Sequence, residues 1–120
     1  MLAALLLAAA AADPISGTWE GTSLCQVKPS PCHDEHALYR FTKVGAQQYR
    51  IDGYKIVAGR ELFMGPIDVT FDASSGMLKG NIVGKNGSSL IQLMLRGTHL
   101  NGRMTQADGT VYRLIDLTKR

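Results

Sequence analysis

The residues best suited to chemistry are gathered in one stretch, residues 17–36 (GTWEGTSLCQVKPSPCHDEH). It holds both cysteines, Cys25 and Cys32, and two of the three histidines, His33 and His36, with Asp34 and Glu35 between them. Two imidazoles beside carboxylates suit zinc or another borderline metal, with His33, Asp34 and His36 as the candidate ligands. A cross-link between the cysteines would lower the entropy cost of gathering them. Against a metal stands the spacing: His33 and His36 are three apart, where neither strand nor helix periodicity turns both the same way. His99 is remote in sequence, and oxidised cysteines offer no thiolate. Solvated loop residues are the simpler reading, and no cofactor is expected.

The cysteine spacing is not Cys-x-x-Cys, so Cys25 and Cys32 read as a structural disulfide rather than a redox pair. Closing a loop of about eight residues stabilises by roughly 2.5 kcal/mol in the chain-entropy account. Pro29 and Pro31 already restrict that loop. No Gly-x-Ser-x-Gly elbow, His-Glu-x-x-His motif or glycine-rich phosphate loop occurs. The carboxylates are scattered, and Asp68 falls on the strand face opposite Ile67, Val69 and Phe71, toward solvent. A non-catalytic protein is expected.

The elements that must position these residues begin after a leader. Residues 1–12 (MLAALLLAAAAA) are wholly apolar and end in small residues, as a signal peptide does before cleavage. The run is too short to span a bilayer as a helix, which takes roughly 20 residues. It lacks the basic segment that usually opens a signal, which points to a true start further upstream. Export to the periplasm or the medium is the expectation, in keeping with a disulfide. Residues 13–120 then form one domain, 108 of the 120 residues once the 12 of the leader are removed. Its 13 Lys and Arg residues and net +3 are interleaved with acids rather than clustered. That spread argues against nucleic acid as a partner.

The body reads as short strands over residues 17–25, 36–44, 47–52, 54–58, 61–64 joined to 67–72, 77–83, 88–98, 103–106 and 110–118. Turn signals stand at Asp52-Gly53, Ser75-Gly76, Asn86-Gly87, Asn101-Gly102 and Asp108-Gly109. Alternation puts Ala37, Tyr39 and Phe41 on one face. It does the same for Ile67, Val69 and Phe71, and for Val111, Arg113, Ile115 and Leu117. Outside the leader no helical stripe occurs. Such a chain must hide its strand edges, and an all-β, closed, antiparallel up-and-down barrel of about eight short strands does so best. A sandwich, the alternative, would need longer crossings than these tight turns allow.

Gly17-Thr18-Trp19, opening the first strand, resembles the Gly-x-Trp signature of the calycins, the group of lipocalins, fatty-acid-binding proteins and avidins. The resemblance implies a closed barrel holding a small apolar ligand or lipid. It also implies a tryptophan packed at the closed end near an arginine from the C-terminal part, for which Arg113 is the match. Residues 23–36 look more like the start of small bacterial secreted proteins. Trp19, Tyr39, Phe41, Phe71 and Arg113 are the candidate ligand-binding residues, and Ile51, Val69, Ile91, Leu93 and Leu95 share the expected interior. Arg40 and Gln92 are expected to face outward.

Leu90-Ile91-Gln92-Leu93-Met94-Leu95 is apolar on both faces. Leu90 and Met94, extended by Leu62 and Met64, form a candidate band for a homodimer or protein partner. Three functions follow: a ligand-binding barrel, a filled barrel acting as an interaction or inhibitor module, and a metal-binding protein through His33 and His36.

Overall fold

The computed structural model describes residues 13–27, 32–84 and 87–120. The leader, the centre of the proline loop and the turn signal at Asn86 lie outside the described residues. Eight strands follow one another: β1 (Gly17–Cys25), β2 (Glu35–Lys43), β3 (Gln48–Val57), β4 (Arg60–Asp72), β5 (Met77–Gly84), β6 (Gly87–Arg96), β7 (His99–Gln106) and β8 (Val111–Lys119). Each pairs antiparallel with its neighbour in sequence, and β8 returns to β1, giving a closed barrel. That last ladder, from Trp19↔Lys119 to Cys25↔Arg113, excludes the open sandwich.

Alternation decides what fills the interior. Trp19, Ala37, Tyr39, Phe41, Ile51, Val69, Ile91 and Leu93 are buried in one cluster with Leu78, Leu100, Ile115 and Leu117, and Phe71 and Leu95 pack against it. Asp68 is exposed and Arg40 and Gln92 are on the outward parity, as alternation requires. One outward side chain is also buried. Leu38 lies between Glu20 and Tyr54 in register and is 1 % exposed.

Two expected turns are corrected. Asp52-Gly53 and Asn101-Gly102 lie inside unbroken strands, β3 and β7. The chain reverses instead at Ala58-Gly59, where both residues have positive φ (52° and 76°), the geometry of a two-residue hairpin turn. It reverses again at Gly97-Thr98. Both misread glycines point inward; a side chain on Gly53 would make ordinary contacts at 3.6 Å, whereas one on Gly102 has no room. A Cβ on Gly102 would lie 1.8 Å from the Gln92 carbonyl oxygen, and on Gly21 or Gly80 it would meet Asp116 or Asp68 at 1.9 or 2.1 Å. Strands that press together this closely bend sharply, and glycine at such corners is what lets a small barrel close.

The ladders are unequal. Only residues 70–72 and 77–79 pair between β4 and β5, three pairs against seven or more in every other ladder. Residues 60–66 therefore pair with β3 alone; β3 is itself paired with β2 as far as Lys55, so this β3–β4 ribbon extends past its neighbours only at Ile56–Val57 and Arg60–Glu61. A bulge at Gly53/Tyr54 shifts the register of β3 against β4 within this stretch.

Candidate functional site

The two ends of the barrel differ in chemistry. At the end where the described chain begins, Ile15 and Trp19 are wholly buried, and the Trp19 Nε1–H donates to the Ile15 carbonyl at 2.8 Å. Phe41 meets the indole edge-on, with ring centres 6.2 Å apart. The Asp13 carboxylate accepts from the Ile15 N–H at 2.9 Å, from the Tyr49 hydroxyl at 2.8 Å and from the Ser16 hydroxyl. Partial burial alone would push that carboxyl up, but these donors outweigh it and hold its pKa at about 2. Tyr49, partly desolvated and donating to the Asp13 charge, is pushed up to about 12. This end is a plug.

The cation over Trp19 is not Arg113. Lys119 takes that place, its Nζ 5.7 Å from the ring centre and donating to the Pro14 carbonyl at 3.1 Å. Arg113 lies near the other end of β8 because it is in register with Cys25, six residues along β1 from Trp19. There its Nη1 donates to the Ser23 carbonyl and hydroxyl at 3.1 Å and to the His33 carbonyl at 3.0 Å. Its Nη2 reaches Glu35 at 3.3 Å. The Arg113 and Glu35 side chains are only 13 % and 15 % exposed. Tyr39 stands below this pair. Burial, reinforced by the Glu35 charge and opposed by Arg113, pushes its phenol well above the ordinary range.

The rest of this open end is also polar inside. A bulge at Met104/Thr105 shifts the register of β8 and lets Tyr112 pack toward the core, with its hydroxyl 3.0 Å from that of Ser89. A depression of about 580 Å³ runs beside them, past Ile82 and Gln106. A second, of about 320 Å³, lies between Glu35, Arg113, Lys55 and Val57.

The His33–His36 stretch is divided among other tasks. Asp34 accepts the Cys25 N–H at 2.8 Å, Glu35 faces Arg113, and His36 lies on the outer surface, 2.5 Å from Glu20. Among the described residues no three His, Cys, Asp or Glu side chains are gathered as metal ligands. Cys25 and Cys32 are disulfide-bonded, with their Cα atoms 5.8 Å apart. The bridge holds the β1–β2 connection against the open end.

The five candidate ligand residues are thus not one group. Tyr39 and Arg113 belong to the open half, while Trp19 and Phe41 build the floor. Phe71, on β4 opposite Leu78, is in the lower half with them. Ser23, Glu35, Lys55, Ser89 and Tyr112 complete the open half and were missed. Their signal was parity, since Ser23, Glu35, Lys55 and Ser89 each stand on the inward register of their strands near the rim. Leu90 and Met94 are half-buried outside β6, and Leu62 and Met64 are on β4 with β5 between, so no band links the four. Met94 instead lines an outer groove with Met77, Asn101 and Leu114.

Fold and site define a small closed antiparallel barrel with one plugged and one polar end. No protein-family description and no curated protein matches the chain. Among solved structures it is similar to a redesigned β-barrel, mFAP1, described as bound to DFHBI, with a TM-score of 0.63 at 17 % identity over 88 % of this chain and 94 % of that one. The likeness is one of fold. Among the described residues no helix is long and apolar enough to cross a membrane.

Proposed function

We propose that this chain is an exported, non-catalytic barrel that holds a small, mainly apolar molecule in its open half. The molecule's polar end would meet Tyr39 and the Arg113–Glu35 pair, over a floor of Phe41, Phe71 and Trp19. The observation that carries this reading is the placement of the interior charge. An ion pair in a barrel core adds little stability over apolar residues of the same volume. Placing it beneath an open rim suits recognition instead, because a few convergent polar groups above apolar walls fix a ligand's orientation. An eight-stranded barrel is wide enough for one small ligand, and a barrel of similar fold is described with a small molecule bound. The Cys25–Cys32 bridge supports an oxidising compartment, periplasmic or extracellular.

The test is a titration with an environment-sensitive apolar dye, together with native mass spectrometry of protein recovered from an exporting host. Saturable binding of one dye per chain is expected. Tyr39→Ala or Arg113→Leu should weaken it about tenfold, the loss of one good polar contact. Val44→Ser, at an exposed site beside the plug, should leave it unchanged. Dye binding that does not saturate, or that ignores Tyr39 and Arg113, removes the reading and leaves a filled barrel.

A further inference from the structure

The exposed large apolar side chains are distributed unevenly. Of those on the described surface, only Val44 lies at the plugged end. Leu24 and Leu114 stand opposite each other on the outer face of β1 and β8 near the rim, and Val83 sits at the end of β5. The rest are on the β3–β4 ribbon, where Val57, Leu62 and Phe63 are 42–55 % exposed. This ribbon has no β5 partner along residues 60–66, so its β4 edge leaves these apolar residues without a neighbouring strand. The Tyr54 and Phe63 rings meet at a tilt of 51°, with centres 5.3 Å apart, on one side of it.

The ribbon carries a net positive charge, with Lys55 and Arg60 against Glu61. Its single acid, Glu61, is engaged by both Arg40 nitrogens at 2.9 and 3.0 Å. Lys55 and Arg60 make no ion pair among the described residues. The other carboxylates at this end are also engaged: Glu35 with Arg113 at 3.3 Å, and Asp34 and Asp108 with the backbone N–H of Cys25 and Thr110.

We propose that the open end docks on an anionic lipid bilayer, with the β3–β4 ribbon lying in the headgroup layer. Val57, Leu62 and Phe63 enter the acyl boundary while Arg60 at the ribbon tip, and Lys55 from the side of the ribbon that faces the barrel mouth, meet the lipid phosphates. An apolar tip flanked by uncompensated cations is the combination that binds such an interface. A second copy fits less well, because mouth-to-mouth contact would bring Lys55 and Arg60 of two chains together.

The test is co-flotation of the full chain with vesicles of phosphatidylcholine with and without phosphatidylglycerol. Binding is expected to the phosphatidylglycerol vesicles and to fall as salt is raised. Lys55→Ala and Arg60→Ala should each lower partitioning about fivefold, the effect of about 1 kcal/mol per surface cation. Phe63→Ser, at an exposed site where folding is not at stake, should lower it roughly tenfold. Val44→Ser should bind as the unaltered chain does. The proposal falls if the chain does not float, or if Phe63→Ser floats as well as Val44→Ser. It also falls if light scattering finds a lipid-free dimer that Phe63→Ser dissolves, which would give the ribbon to a second copy. No dye is needed, so this result and the ligand titration can fail separately.

Discussion

The plugged and open ends are built from the same eight strands yet solve opposite problems. At the plug the buried and half-buried polar groups around Trp19 serve closure. The Trp19 N–H, the Asp13 carboxylate and the Lys119 ammonium all bind atoms of residues 13–16 or the strands beside them. At the open end Arg113, Glu35 and Ser23 satisfy one another while remaining next to space. The contrast teaches that burial alone does not mark a site in a small barrel. What marks it is burial of charge on the inward parity, away from the end that the chain seals.

The sharpest way to break this contrast is Trp19→Ala. Removing a wholly buried indole should cost about 3–5 kcal/mol, seen as a large fall in the denaturation midpoint. At the open end, Arg113→Leu leaves Glu35 short of its partner and should cost about 2 kcal/mol. The Arg113→Leu/Glu35→Leu double variant should recover most of that while dye binding stays weak. A double variant as unstable as the single one would mean the pair is structural. Reducing the disulfide, or Cys25→Ser, should cost at most about 2.5 kcal/mol, and less if the prolines already hold the loop.

The smallest effect is a pH dependence. Asp13 is depressed in the folded chain, so its contribution is fully present above the ordinary carboxylate range and is lost as pH falls through about 2. Screening at this partly exposed site limits it to about 1 kcal/mol. Asp13→Asn should flatten that part of an acid-unfolding profile.

Much of the barrel was legible because alternation survives in the strands that fill it. Ala37, Tyr39 and Phe41 turned inward as read, and so did Ile67, Val69 and Phe71. The turns were legible only where residue type and φ agreed. Ala58-Gly59 makes a hairpin although alanine gives no such signal, and Asn101-Gly102 makes none because Gly102 is needed for strand contact. Arg113 was recognisable as an inward residue of the last strand, but its height was not. The tilt and register of β8 against β1 carry it away from Trp19, and a register belongs to the closed barrel rather than to any one segment. The histidine stretch misled for a related reason. Residues adjacent in sequence at a strand start face alternate sides, so Glu35 went inside and His36 outside.

The short β4–β5 ladder has a topological consequence. In the strand order it lies diametrically opposite the β1–β8 ladder, where seven pairs hold the two terminal strands together, with Lys119 beside Trp19. The place where the polypeptide ends is therefore well zipped, and the place where the cylinder is thinnest is uninterrupted chain. A circular permutant of residues 13–120, with Arg120 linked to Asp13 and the chain opened at residues 73–76, would keep every ladder of more than three pairs. Within residues 13–120, the order in which the strands are linked is separable from the order in which they pair.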